Sequence, residues 1–384
     1  MKNFTDSTTM GNFSGDNITC WPGLSHDPPV CGSRDQMIEY ILEKMKPTVE
    51  ESVLIFLYVV VFFVGLFGNF LVCFVVYRSK SMQNATNYFI VNLAVTDMLV
   101  ILICLPPTVV QQTSSHWYFG EVMCHIVVFM QTASIVSSVL TLCAIGVERY
   151  YGICLPFESW LSSRRVITII VMIWTTAAAV SAPHLIYMTL KSTYKDIPEY
   201  LQYCAMNMST QSRKVFQSVL VICVYLIPLL IIGVMYLRIS IRLWSASIPG
   251  ETLKSAGRPS NAMINQKLSR RKISRMLIAV VIIFAVCYLP IHVMYICFIF
   301  DVFVGLKDQS FIPRLMMISH WLCYFNSAIN PIIYNFMSMK FQSEFKRIFY
   351  RMTYRRYPES HGRTESLQLK SNDDYYSTTV ENRL

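Results

Sequence analysis

Charged side chains are scarce in this sequence, and several long stretches contain none. Asp, Glu, Lys and Arg make up 15% of the 384 residues, against about 25% in typical soluble domains. Six stretches have no charged side chain: Ser52–Tyr77, 122–147, Val166–Leu190, Val215–Leu237, Met276–Phe300 and Leu315–Met339. A seventh, Ser81–Gly120, contains only Asp97. Because about 20 apolar residues suffice to cross a bilayer as a helix, the sequence predicts an all-α membrane protein, a seven-transmembrane helix bundle.

Other patterns are missing as well. Apolar and polar residues do not alternate with a period of two, which disfavours a transmembrane barrel. No CxxC pair or histidine cluster indicates a metal, and no nucleophile with a matching base indicates an enzyme. We therefore expect no metal, no cofactor and no catalytic residue. His184, His292 and His320 occur singly on different helices, where a structural role is the default.

The Lys and Arg residues fall unevenly on the two sides of such a bundle. Alternate assignment of the connecting segments puts 23 of the 33 on one side and 10 on the other. The richer side should be cytoplasmic, which places the N-terminus outside a plasma membrane. Four glycosylation sequons agree with this orientation, at Asn3, Asn12, Asn17 and Asn207. The net charge of +10 reflects this bias and contact with lipid, and we expect no nucleic-acid partner.

Three parts of the chain differ in character. Residues 1–46 are predicted to be an extracellular glycosylated tail with a short amphipathic helix over 35–46, which serves either ligand capture or interfacial anchoring. Residues 47–352 form the transmembrane domain and an amphipathic eighth helix, and 353–384 form a disordered cytoplasmic tail.

Four of the twelve cysteines face the oxidising side, where disulfides form. A bridge between Cys124 and Cys204 would pin the loop between the fourth and fifth helices over the bundle. Whether Cys20 and Cys31 pair with each other stays open.

Polar residues and prolines at membrane depth are costly, and their presence there indicates a structural or functional role. The polar ones are Asn69, Asp97, Ser138, Asn326 and Asn330. They either hydrogen-bond helices together or form a water or cation pocket centred on Asp97, with sodium as the candidate cation. Pro228, Pro290 and Pro331 interrupt the fifth, sixth and seventh helices and indicate parts that pivot.

Seven motifs in chain order carry a family resemblance. They are Gly68–Val72, Asn92–Asp97, Glu148–Tyr150, Trp174, Pro228, Phe284–Pro290 and Asn330–Tyr334. This pattern resembles rhodopsin-like (class A) G-protein-coupled receptors over about residues 50–352. The resemblance implies coupling to a heterotrimeric G protein. It also implies an activation switch formed by Glu148, Arg149, Tyr150, Tyr236, Pro290, Asn330, Pro331 and Tyr334.

Further segments are similar to receptors for the orexin and allatotropin neuropeptides. These are Thr86–Leu93, Cys104–Thr108 and Glu148–Phe157. The residues that match the ligand pocket of that group are Thr108, Gln131, Thr132, Tyr225, Ile291, His320 and Tyr324. Tyr288, His292 and Tyr295 join them, since their spacing puts them on one helix face.

The resemblance also narrows the ligand. Gln131 stands where many amine receptors have an Asp, which disfavours a small amine. Ala205 and Met206 stand where orexin receptors carry acidic residues, which favours an allatotropin-like or other amidated peptide. The family further implies arrestin and a receptor kinase as partners of the tail. Two alternatives stay open: a receptor of the same fold for a non-peptide ligand, and a transporter or channel.

Overall fold

The computed structural model describes residues 19–21, 30–154, 161–194, 197, 201–245, 261–303, 311–337 and 339–354. Within them, six helices are long and apolar enough to cross a membrane. We name them the first to sixth spans: Val49–Arg78, Ala85–Ser114, Gly120–Cys154, Arg164–Tyr187, Thr210–Arg242 and Ser274–Ile299. The predicted sequons at Asn3, Asn12 and Asn17 and the tail beyond Tyr354 lie outside the described residues.

The seventh span, Phe311–Met337, is 27 residues long but more polar than the other six. Its buried face includes Ser319, Asn326, Ser327 and Asn330, which lower its apolar character. It packs against the first and sixth spans along its length. It therefore belongs to the bundle because of these contacts, although its sequence is less apolar than that of a typical membrane-spanning helix.

A side-chain cap starts the first span, and the three prolines predicted to interrupt helices lie inside continuous spans. Thr48 and Glu51 form a capping box at the first span, since the Thr48 N–H donates to Glu51 Oε2 at 2.7 Å. The fifth span contains a π-helical turn, Val221–Leu226, which ends two residues before Pro228. The sixth and seventh spans continue as helices through Pro290 and Pro331.

A buried polar bridge joins three spans in the middle of the bundle. The Trp174 Nε1–H donates to Asn92 Oδ1 at 2.9 Å, and Asn92 Nδ2 donates to Thr141 Oγ1 at 2.8 Å. Hydrocarbon offers these groups no water, so each hydrogen bond fixes the register of one span against another.

Two short hairpins and one helix lie at the end of the bundle that carries Cys124, which we call the disulfide end. The N-terminal hairpin pairs Thr19–Trp21 with Val30–Gly32, and the loop hairpin pairs Met188–Ser192 with Gln202–Met206. Disulfides join Cys124 to Cys204 and Cys20 to Cys31. The first of these bridges is the one predicted, and the second settles the pairing that the sequence left open.

The N-terminal helix, Arg34–Lys44, is packed on protein. Its apolar side chains Met37 and Ile41 are completely buried, in one cluster with Trp21 and Tyr194. Burial raises the pKa of the Tyr194 hydroxyl to about 12. This packing favours a role at the loop hairpin over the alternative of an interfacial anchor.

A C-terminal helix, Met339–Tyr354, follows the seventh span. The Phe341 side chain is buried and stacks on Tyr334, with 5.9 Å between ring centroids. The position of this helix along the membrane surface stays a prediction.

Close approach of the first and seventh spans depends on Gly65. A Cβ at this position would meet the buried Ile101 side chain and would lie 3.2 Å from Ala328 Cβ. By contrast, a Cβ at Gly233 on the fifth span would meet nothing within 4 Å.

These two glycines provide a matched pair of variants. Gly65→Ala should lower stability by about 1–3 kcal/mol, because overpacking separates the spans. Gly233→Ala should raise it by roughly 0.5–1 kcal/mol, because alanine favours a helix interior. Thermal unfolding of the purified protein measures both. Equal melting temperatures for the two variants would contradict the packing at Gly65.

Candidate functional site

A cavity lies between the spans, about two helical turns below Cys124. Eight of the ten predicted pocket residues line it: Gln131, Thr132, Tyr288, Ile291, His292, Tyr295, His320 and Tyr324. Its volume is about 120 Å³. Ligand pockets usually hold about 300–1,000 Å³. The cavity therefore has room for the end of a peptide but not for a whole one.

The other two predicted residues lie behind the cavity wall. Thr108 Oγ1 is 2.8 Å from the Tyr324 hydroxyl, and the Tyr225 ring lies 4.3 Å from that of His292. The Tyr225 hydroxyl donates to the carbonyl of Ala285 at 2.7 Å. Both residues therefore support lining side chains and do not themselves face the cavity.

Eight further lining residues are not among those predicted from the sequence. They are Val100, Val128, Ile135, His184, Gln217, Leu220, Val224 and Cys323. Helical spacing could have found several of them. Val128 and Ile135 flank Gln131 and Thr132 at i, i+3, i+4 and i+7, and Gln217, Leu220 and Val224 repeat the spacing on the fifth span.

A chain of hydrogen bonds fixes the orientation of Gln131. The Thr108 hydroxyl donates to the carbonyl of Cys104 at 2.7 Å, so it must accept from the Tyr324 hydroxyl. Tyr324 in turn accepts from Gln131 Nε2 at 2.8 Å. Since one amide N–H is used in this way, Gln131 Oε1 is left as an acceptor for a ligand.

Two histidines present acceptors in the same way. The Nδ1 atoms of His320 and His184 lie 2.9 Å and 3.3 Å from the carbonyls of Met316 and Ser181. A carbonyl only accepts, so both Nδ1 atoms carry a proton, and in the neutral imidazole each Nε2 atom is then an acceptor. The two nitrogens of buried His292 have no partner among the described residues.

The cavity is also neutral. Its described lining contains no Asp, Glu, Lys or Arg. A ligand group that supplies N–H donors without a charge would match these acceptors, whereas a carboxylate would lose its water and meet lone pairs.

A polar cluster lies deeper in the bundle. Asn330 Nδ2 donates to Asp97 Oδ2 at 2.9 Å, and Asn69 Nδ2 donates to the Ser327 carbonyl at 2.9 Å. The amide oxygens of Asn69, Asn326 and Asn330 are buried without a partner among the described residues. A carboxylate with carbonyl oxygens suits a hard cation. The predicted Ser138 is also buried.

At the end of the bundle opposite the disulfide end, the Arg149 guanidinium hydrogen-bonds to Glu148 and Thr86. Its Nη2 donates to Glu148 Oε1 at 2.8 Å and also to the Thr86 hydroxyl, which itself donates to Glu148 Oε2 at 2.9 Å. The Arg149 and Glu148 side chains are only 23% and 17% exposed. The predicted switch residues Tyr236 and Tyr334 are buried, and Tyr150 is half-buried.

Polar contacts organise the disulfide end. The ring Nδ1 of His116 accepts the Gln202 backbone N–H at 3.0 Å, and burial lowers the pKa of this imidazole. Lys214 Nζ lies 2.9 Å from Asp301 Oδ2, and this hydrogen bond lowers the pKa of the exposed carboxyl. The pair connects the fifth span to the segment after the sixth.

Comparison with known proteins gives two findings. The sequence model of the 7 transmembrane receptor (rhodopsin family) matches residues 68–334. Pyroglutamylated RF-amide peptide receptors of Mus musculus and Rattus norvegicus are each 32% identical to the chain over 291 residues. Each alignment covers 74% of this chain and 67% of the relative.

The hydrogen-bond chain through Tyr324 can be tested without a ligand. Tyr324→Phe removes the acceptor of the half-buried Gln131 amide N–H and the donor to the buried Thr108 hydroxyl, and should cost about 1–3 kcal/mol of stability. Thr113→Val is the matched control, because the Thr113 hydroxyl bonds carbonyls of its own helix. Thermal unfolding measures both variants. A melting temperature for Tyr324→Phe no lower than that of the control would contradict the assigned chain.

Proposed function

The chain belongs to the rhodopsin family of seven-transmembrane receptors, and from this membership we propose that it is a receptor for an amidated neuropeptide. Membership of this family confirms two predictions, that the chain is a class A receptor and that it is a multi-pass membrane protein. It is a family of receptors and not of enzymes. Closeness to the orexin and allatotropin receptors stays a prediction.

The neutral, acceptor-lined cavity is the observation that carries the proposal. Gln131 Oε1 and the Nε2 atoms of His184 and His320 would accept hydrogen bonds from a C-terminal amide. A primary amide brings two N–H donors and no charge. The aromatic walls at Tyr288 and Tyr295 would pack against the last side chain of the peptide.

The relatives support the same ligand class. They are named as receptors for a pyroglutamylated RF-amide peptide, and RF-amide denotes a peptide with an amidated end. An allatotropin-like peptide also fits, because it shares the amidated end. The small cavity volume implies that the rest of the peptide contacts the loop hairpin and the N-terminal helix.

We further propose a plasma-membrane location with the N-terminus outside. The supporting observation is the excess of Lys and Arg on the side of Arg149. The two disulfides lie on the opposite side, where an oxidising compartment would maintain them.

Activation would be a shift between two populated states. In the described state Glu148 and Thr86 hold Arg149. Peptide binding would favour a state in which the sixth span swings about Pro290 and Arg149 meets a heterotrimeric G protein. Tyr236 and Tyr334 would then fill the space that the movement of the sixth span opens. A receptor kinase and arrestin would act on the tail, and membrane lipid surrounds the bundle.

The cluster around Asp97 would hold a sodium ion in the inactive state. Asp97, Ser138, Asn326 and Asn330 would supply the oxygens, with Asn69 next to them. The unpartnered amide oxygens are the supporting observation. The ion would neutralise a carboxylate that is otherwise costly at this depth.

Four versions of one peptide test the ligand end. Amidated peptides are first screened on cells that express the receptor, with calcium and cAMP readouts. The active peptide is then compared as amide, N-methylamide, methyl ester and free acid. Because only donors match the acceptors, the ester and the acid should each lose about 100-fold in potency, and the N-methylamide less. An ester as potent as the amide would contradict the proposal.

A pair of histidine variants localises the effect. His320→Phe removes an acceptor and should reduce the preference for amide over ester by about tenfold, in line with the loss of one hydrogen bond. His125→Phe is the control, because His125 bonds the Leu185 carbonyl and is absent from the cavity lining. Equal effects of the two variants would count against a ligand contact at His320.

The switch is tested by nucleotide exchange on added G protein. Thr86→Ala should raise basal exchange roughly two- to tenfold, because Arg149 loses one partner. Arg149→Ala should abolish peptide-stimulated exchange at equal surface expression. Thr168→Ala, which removes an exposed hydroxyl on the fourth span, is the control. Full stimulated exchange in Arg149→Ala would refute the assigned role.

A further inference from the structure

The two disulfides differ sharply in their access to solvent. Cys20 and Cys31 are both exposed, whereas Cys124 is completely buried and Cys204 half-buried. Thiol–disulfide exchange requires a thiolate to reach one of the two sulfurs. A dissolved reductant can therefore reach the Cys20–Cys31 bridge more easily than the bridge inside the bundle.

The exposed bridge holds together a very small element. The N-terminal hairpin has strands of three residues each, and Cys20 lies directly opposite Cys31. An isolated two-stranded hairpin is marginally stable in water. The covalent bond is therefore needed to keep the strand Thr19–Trp21 in place.

This strand places Trp21 in a buried apolar cluster. The Trp21 side chain is 6% exposed and packs in a cluster with Met37 and Ile41 of the N-terminal helix. The same cluster contains Ile197 and Leu201 from the tip of the loop hairpin. Trp21 thus occupies a core that joins the chain's N-terminal part to the loop.

The loop hairpin is itself fixed over the bundle. Cys204 forms a disulfide with Cys124, and the backbone N–H of Trp117 donates to the Gln202 carbonyl at 2.7 Å. The position of the N-terminal helix on this hairpin consequently depends on the cluster around Trp21.

We propose that Cys20–Cys31 is a redox modification site whose opening by an extracellular dithiol releases the N-terminal helix from the loop hairpin and weakens peptide binding. The effect on the peptide rests on the proposed function, whereas the release of the helix does not. The bundle and the Cys124–Cys204 bridge stay intact.

The exchange chemistry has two steps. A thiolate of the dithiol attacks one exposed sulfur, forms a mixed disulfide and expels the other cysteine as a thiolate, which takes up a proton. The second thiol of the dithiol then attacks the mixed disulfide, closes its own disulfide and releases the remaining cysteine. The bridge gains two electrons and the dithiol loses two, so an oxidised dithiol reverses the reaction.

Selectivity is measured on the full-length receptor in nanodiscs. The protein is treated with graded dithiothreitol, alkylated with N-ethylmaleimide and analysed by peptide mass spectrometry. Cys20 and Cys31 should become half-labelled at a dithiothreitol concentration at least tenfold below that needed for Cys124 and Cys204. Labelling of all four cysteines together would overturn the proposal.

Release of the helix is measured by hydrogen exchange. Amides of Arg34–Lys44 should exchange at least tenfold faster after selective reduction, while amides of the spans are unchanged. The double variant Cys20→Ser, Cys31→Ser should exchange fast without reductant and should not respond to it. Unchanged exchange in the reduced wild-type protein would overturn the proposal.

Peptide binding is the last readout, with the amidated agonist found by the screen described above. Selective reduction should lower its potency about tenfold in the wild type and leave it unchanged in the double variant. Faster helix exchange with unchanged potency would overturn the link to binding. The absence of any active amidated peptide would instead refute the proposed function, while labelling and exchange would still decide the redox site.

Discussion

Polar side chains inside the bundle cannot turn to water, so hydrogen bonds to a neighbouring span stabilise them most. This constraint explains why Asn92 receives the Trp174 indole and donates to Thr141, and why Asn330 faces Asp97. Apolar packing tolerates small slides between helices, whereas these bonds do not. A few polar pairs therefore define the register in which the ligand cavity and the Arg149 end are built.

The same constraint gives the cavity its chemical character. Tyr324 must satisfy Gln131 and Thr108 at once, and this requirement decides which atom of the Gln131 amide is available to a ligand. The backbone carbonyls near His184 and His320 do the same for the imidazoles. Under the proposed function, selectivity for a donor group would arise from hydrogen bonds that the ligand never touches.

Much of this architecture could be predicted from the sequence, because long charge-free runs and helical spacing are local signals. The spans follow from them, as does the shared helix face of Tyr288, His292 and Tyr295. The other predicted lining residues came from the family resemblance: Gln131, Thr132, Ile291, His320 and Tyr324. His184 was missed because its place in the cavity wall depends on which spans become neighbours. Likewise, the amphipathic pattern of residues 35–46 predicted a helix, but only the folded chain shows that the loop hairpin covers its Met37 and Ile41 side chains. Contacts between distant segments leave no periodic pattern in either segment.

The polarity of the seventh span has a consequence for biosynthesis. Asparagines and a histidine make transfer of an isolated helix from the translocation channel into lipid unfavourable. Their partners are on spans that emerge earlier, since Asn330 bonds Asp97 on the second and the Ser327 carbonyl accepts from Asn69 on the first. We therefore expect the seventh span to enter the membrane against a surface formed by the preceding spans, which would give assembly of this receptor a direction.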